Sequence, residues 1–140
     1  MSSELKLSIL SPERRLVESI VIDEVTLPTS EGQVQVLPNH APMIGIIETG
    51  VFNYLTSGKP PVFGVLSTGF FEVKNNHVYV MAETLELRTE IDIDRAKKAQ
   101  LLAEETLQAA TLDEHHFNKY QLKLQRAMIR QQVAAHPSHE

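Results

Sequence analysis

The sequence predicts a β + α chain of two domains, an N-terminal antiparallel β-sandwich over residues 1–87 and a C-terminal antiparallel α-helical hairpin over residues 88–140. Two patterns and the break between them lead there. Apolar residues recur at every second position up to about residue 87, punctuated by turn signals, and the period then becomes helical. Short strands with one apolar face each bury it by stacking as a sandwich or closing as a barrel.

The elements follow in order. Leu5, Leu7 and Ile9 alternate with polar neighbours, Val25 and Leu27 flank Thr26, and Val34 and Val36 flank Gln35. Breaks fall at "SPE" (11–13), "SEG" (30–32), "PNHAP" (38–42), "SGKPP" (57–61) and "NN" (75–76). Gly45, Gly50, Gly64 and Gly69 sit in or beside strands, where glycine marks bulges or close packing. After "ELRTEIDID", Asp92 can cap a first helix, Ile91 can staple onto Ala96, and good helix formers run to Ala110. "TLDEH" interrupts the pattern. Asp113 can cap a second helix, in which Phe117, Tyr120, Leu124 and Ala127 follow at helical spacing before Pro137.

So short a connection makes the helices antiparallel neighbours. Ala96, Ala99 and Ala103 give the first helix a seam of small residues. At about 0.8 kcal/mol per buried methyl-sized group, that seam is worth only a few kcal/mol, so the hairpin can open. Leu122, Ile129 and Val133 form another apolar line on the second helix, roughly 140° from the Phe117 line at about 100° per residue. A helix with two apolar lines needs cover from something beyond its hairpin partner.

Composition narrows the function. The 140 residues are 42% apolar, ordinary for a folded domain, and the formal charge of -5 argues against a general affinity for nucleic acid. With no cysteine, a disulfide framework, a thiolate zinc site and a cysteine nucleophile are excluded. Apolar stretches such as Met43 to Ile47 fall far short of the roughly 20 residues of a bilayer span. The start "MSSELKLSIL" has neither signal-peptide nor transit-peptide character, so a protein of the cytoplasmic side is expected.

Few residues group as a chemical site. His40, alone in a proline-bracketed turn, has no acid or second histidine at ligand spacing and is read as a turn or contact residue. His77 opens "HVYV" at a solvent-side strand position, and the adjacent His115 and His116 point about 100° apart on a helix, unlike an i, i+4 metal pair. His136 and His139 fall near the C-terminal end. Neither a P-loop, a dinucleotide fingerprint nor a nucleophile elbow is present, and Glu83 and Glu86 read as solvated charges. The best constellation is electrostatic. Lys119, Lys123, Arg126 and Arg130 fall at i, i+4, i+7 and i+11, one positive line down the second helix, either a solvated face or the counterpart of an acidic surface.

Three segments carry a family resemblance. "SEGQVQVLPNHAPMI" (30–44), "VLSTGFFEV" (65–73) and "EIDIDRA" (90–96) resemble, in order, a Glu-Gly strand with a Pro-Gly-His-Ala-Pro turn, a Ser-Gly-Gly-Phe-Leu-Glu-Val strand, and an Ile-Asp-x-x-Arg-Ala helix opening. The family is the epsilon subunit of the bacterial-type rotary, proton-translocating ATP synthase. Asn39 replaces the turn glycine, and Asn is the residue after glycine best suited to a left-handed backbone; Thr68 replaces the second glycine of the strand motif.

The resemblance implies a non-catalytic central-stalk subunit without a cofactor. Such a rotor subunit couples proton translocation to ATP synthesis and restrains ATP hydrolysis through its C-terminal helices. Its partners would be the c-ring, through Ser30, Glu31, Gly32 and Gln33, and the gamma subunit, through His40 and Pro42. The alpha/beta catalytic head would be reached by Lys119, Lys123, Arg126 and Arg130, and the chain would sit peripherally on the cytoplasmic face of the membrane, held only through the complex. Some members bind ATP as a regulatory ligand; here Ile91, Asp92, Arg95, Arg126 and Arg130 match, while Leu102 stands where that pattern has a further arginine. Two other readings compete, a free-standing sandwich adaptor that dimerises through its hairpin and a small acid/base enzyme built on His40, His77 and Glu83.

Overall fold

The computed structural model describes residues 4–109 and 112–135, so Ala110 and the histidines at 136 and 139 lie outside the described residues. Ten strands come first: β1 (Leu5–Leu10), β2 (Arg15–Ile22), β3 (Glu24–Thr29), β4 (Gly32–Val36), β5 (Met43–Ile47), β6 (Gly50–Leu55), β7 (Val62–Leu66), β8 (Gly69–Lys74), β9 (His77–Ala82) and β10 (Leu85–Leu87). A 3-10 turn, Arg88–Glu90, leads into α1 (Ile93–Ala109) and α2 (Glu114–Ala135).

The strand order is β10-β7-β6-β3-β5-β8-β9-β1-β2, with β4 on β3. Strand β3 joins the layers: Glu24 to Thr26 pair with β6, whereas Thr29 pairs with Ile47 of β5. The neighbouring pairs are antiparallel except β1 with β9, which run parallel. Alternation alone gives no sign of that exception, because it fixes which face is buried and not which strand lies alongside.

Phe52 and Phe71 are the largest fully buried side chains, and Leu5, Leu7, Ile9, Val25, Leu27, Ile47 and Leu66 complete the centre of the core. Each phenylalanine lies over a glycine on its cross-strand neighbour, Phe52 over Gly64 and Phe71 over Gly45. A Cβ on Gly64 would come 2.5 Å from the Phe52 ring, so the absence of a side chain is what admits the aromatic ring.

Local chemistry sets the turns. Asn39 has φ 66°, and Asn75 and Asn76, between the paired Lys74 and His77, have φ 52° and 58°, the left-handed values that a tight hairpin demands. The side chains of Asn39 and Asn76 also clasp the turns together: Asn76 Oδ1 accepts the Asn39 N–H at 2.6 Å, and Asn76 Nδ2 donates to Asn39 Oδ1 at 3.2 Å. Between β1 and β2 the register slips beside Ser19, which has φ 50°. There the buried Ser8 hydroxyl accepts the Ser19 N–H at 2.9 Å and meets His77 Nε2 at 2.9 Å. His77 stacks on Tyr79 on the outer face of β9, so it is half-buried rather than free in solvent.

Both expected helix caps form. Asp92 Oδ1 accepts the Arg95 N–H at 3.1 Å, and Asp113 Oδ1 accepts the His116 N–H at 2.8 Å. The seam differs in one member: Ala96, Ala103 and Ala127 are buried, whereas Ala99 is exposed. Gln131 crosses it, donating to Gln100 Oε1 at 2.6 Å, a polar clasp that periodicity alone does not reveal.

Candidate functional site

Of the two helices, α2 sits against the outer face of the layer that contains β6 and β7, and α1 packs on α2. Val133, from the second apolar line of α2, is buried there, and Gln33, Val51, Asn53, Phe63, Arg88 and Gln132 line a cavity of about 280 Å³ with it. The sandwich itself thus supplies the cover that the second line needs, but only at its C-terminal end. Leu122 remains 52% exposed and Ile129 half-buried; Phe117, expected in the seam, is 41% exposed.

One ion pair joins helix to sandwich among the described residues. Arg130 Nε donates to Glu86 Oε1 at 2.7 Å and its Nη2 to Glu86 Oε2 at 3.1 Å, with the side chains only 18% and 27% exposed. Glu86 is therefore not the solvated charge that its sequence context implies. Fork-to-carboxylate geometry with little water is the strong form of such a pair. Glu83 does remain exposed, on a cleft of about 350 Å³ shared with Lys119, Lys123 and Arg126. Lys123 Nζ lies 5.1 Å from the centre of the Tyr120 ring. Three members of the basic line therefore face one cleft and the fourth is tied down beside it.

A second ion pair fixes the connection. Arg14 Nη1 lies 3.0 Å from Glu90 Oε2, and Glu90 Oε1 accepts the Leu87 N–H at 2.8 Å. That backbone bond first, and Arg14 second, hold the Glu90 carboxyl below its ordinary range.

The remaining candidates separate. Ser30, Glu31 and Gly32 form the exposed tip of the β3–β4 turn, stiffened by Thr29, whose hydroxyl donates to the Gly32 carbonyl at 2.6 Å and accepts the Glu31 N–H at 3.1 Å. Gln33 lies apart from that tip in one respect, because it lines the cavity beneath α2. His40 stays in its turn, with Nδ1 2.7 Å from the Ala41 carbonyl, and Pro42 leads into β5. Of the nucleotide-matching residues, Arg126 and Arg130 share a cavity of about 220 Å³ between the helices, walled in part by Leu102. Asp92 is spent as a helix cap, and Ile91 lines a different groove, with Pro60, Pro61 and Ile93. The trio of His40, His77 and Glu83 is not assembled: His77 opens β9 and Glu83 follows its last residue, about 20 Å away at roughly 3.3 Å per residue.

A feature without a signal in the motifs is an apolar patch on the other outer face. Ile44 and Ile46 of β5, Phe70 of β8 and Tyr79 of β9 are 74%, 58%, 56% and 43% exposed on neighbouring strands. Among the described residues, no helix is long and apolar enough to cross a membrane.

Comparison with known proteins covers both halves. Residues 4–88 match the family model "ATP synthase, Delta/Epsilon chain, beta-sandwich domain", and residues 89–135 match "ATP synthase, Delta/Epsilon chain, long alpha-helix domain". The ATP synthase epsilon chains of Trichlorobacter lovleyi and of Geobacter sp. strain M21 are each 38% identical over 134 residues, spanning 96% of this chain and of theirs. The fold is similar to a chain in the Euglena gracilis mitochondrial ATP synthase OSCP/F1/c-ring structure, with a TM-score of 0.82, 20% identity, and 97% of this chain and 84% of that one covered. A chain of the Tetrahymena thermophila mitochondrial ATP synthase central stalk/c-ring structure gives 0.70 at 12% identity, covering 94% and 96%. Matched along both its sandwich and its helices, the chain belongs to the ATP synthase delta/epsilon chain family.

Proposed function

We propose that this chain is a non-catalytic central-stalk subunit of the rotor, built as a sandwich foot over residues 1–87 and a regulatory hairpin over residues 88–140. It couples proton flow to ATP synthesis and restrains hydrolysis by presenting the basic line of α2 to an acidic surface on the catalytic head. The observation that carries the reading is that line, Lys119, Lys123, Arg126 and Arg130, on a helix held to the sandwich by a thin apolar contact and one ion pair.

The foot would face two partners. The stiff tip Ser30, Glu31 and Gly32, with Gln33 behind it, meets the c-ring. The turn of His40 and Pro42, continuous with the apolar patch of Ile44, Ile46, Phe70 and Tyr79, meets gamma; an apolar area of that kind marks a protein interface. The chain is peripheral to the cytoplasmic face of the membrane, through the complex alone. Regulatory ATP at Ile91, Asp92, Arg95, Arg126 and Arg130 would require the helices to part, because their shared cavity of about 220 Å³ falls below the roughly 300–1,000 Å³ of ordinary ligand pockets. Calorimetric titration of the isolated chain with ATP is expected to show no binding in the closed arrangement.

The central test is hydrolysis by a reconstituted catalytic head. Replacing Lys119, Lys123, Arg126 and Arg130 together by alanine should raise ATPase activity toward that of a chain truncated after Arg88. Unchanged inhibition by the fourfold variant would remove the basic line from the mechanism.

A further inference from the structure

We infer that Glu86 is an internal substitute for the acidic partner, and that its pairing with Arg130 latches the hairpin shut about a hinge at Ile91 and Asp92. Three observations converge on this. Arg130 belongs to the basic line, yet in the closed chain its guanidinium is occupied by both oxygens of one carboxylate, at 2.7 and 3.1 Å. Glu86 neutralises the charge that an acidic partner would meet and ties two of the five guanidinium N–H groups to the sandwich, so latching and docking compete for one group. Glu86 lies in β10, a strand paired with β7, and therefore stays with the sandwich when the helices leave.

The connection places the hinge. Up to Glu90 the chain is fastened to the sandwich, through Arg14 on the β1–β2 turn and through the Leu87 N–H. From Asp92 onward it belongs to α1, whose first turn Asp92 caps. Ile91 lies between these two fastenings, with an extended backbone at φ -75° and ψ 124°. Rotation there swings α1 and α2 together while Glu86 and Glu90 remain behind.

The proposal rests on the basic-line reading for its consequence in the motor, but the latch is testable without the motor. The chain lacks cysteine, so Lys74→Cys on β8 and Gln125→Cys on α2, both exposed, accept a fluorophore pair for single-molecule distance measurements on the isolated protein. Glu86→Gln, which keeps the shape and removes the charge, should raise the open fraction relative to closed by about tenfold, the scale of a hydrogen-bonded ion pair with little solvent access. The exchange Glu86→Arg with Arg130→Glu should restore the closed fraction. An open fraction and opening rate identical in Glu86→Gln and the parent would overturn the latch. On the catalytic head, the exchanged protein should close normally and yet inhibit less; full inhibition by it would count against Arg130 in the basic line while leaving the latch intact.

Discussion

The two halves of the chain are held by different means. The sandwich encloses two phenylalanines and a dense set of leucines, isoleucines and valines with no measurable exposure, whereas among the described residues the buried apolar side chains of the helices are three alanines and one valine. A buried phenylalanine or leucine is worth about 1.5–3 kcal/mol, and an alanine methyl about 0.8 kcal/mol. The foot is therefore stable by its own core, and the hairpin is stable only where polar contacts, Gln131 with Gln100 and Arg130 with Glu86, add to a thin seam. A molecule made this way can move one half without loosening the other.

Breaking the core should produce the largest effect. Phe71→Ala would remove the ring above Gly45 and cost about 3–5 kcal/mol, read as a shift of the chemical unfolding midpoint of the sandwich. Widening the seam should be milder and confined to the helices. Ala103→Leu forces α1 away from α2 at a cost of about 1–3 kcal/mol, seen as faster amide exchange in both helices with sandwich amides unaffected. Exchange that rises equally in β8 and α1 would show that the halves are not separable.

The turn clasp sharpens the same contrast within the foot. Asn39→Ala keeps the backbone bond to Asn76 but loses the one that Asn76 Nδ2 donates to Asn39 Oδ1, together with a residue tolerant of φ 66°, so about 1 kcal/mol should disappear from thermal stability; Asn39→Gly, which keeps the backbone freedom, should lose less. The smallest effect is titration of His77. Burial first, and the nearby Lys6 second, lower its pKa below the ordinary 6.5. The folded state therefore favours the neutral ring, and the unfolded chain binds the extra proton. Its contribution is complete above about pH 6.5 and is lost as the pH falls from there through the lower folded-state value. Thermal melts between pH 7.5 and 5 should show this slope in the parent and a shallower one in His77→Gln.

What was legible in the sequence was whatever local rules govern. Alternation fixed the buried faces of β1, β3 and β4, and single residues announced the caps at Asp92 and Asp113 and the left-handed Asn39. Contacts between distant positions were not legible. Glu86 meets Arg130 across 44 residues, and β1 lies parallel to β9, which begins 72 positions after β1 does, so neither leaves a mark at short spacing. The family motifs named the elements of the candidate site, but only packing revealed that Glu86 shares it. The apolar patch leaves no local mark for a related reason: Met43–Ile47 is apolar on both faces, and sequence does not say which face of such a strand is covered.

The slip in register at Ser19 bears on how the chain behaves in a crowd. Strand β2 ends the strand order, and a terminal strand with a straight, unpaired backbone invites another molecule to add itself. Here the left-handed turn at Ser19 and the Arg15–Glu18 pair spoil the straightness and put charge on the rim, so a neighbouring chain finds no continuous ladder to extend. On this side of the sheet the fold itself therefore works against the addition of a second copy of the strand.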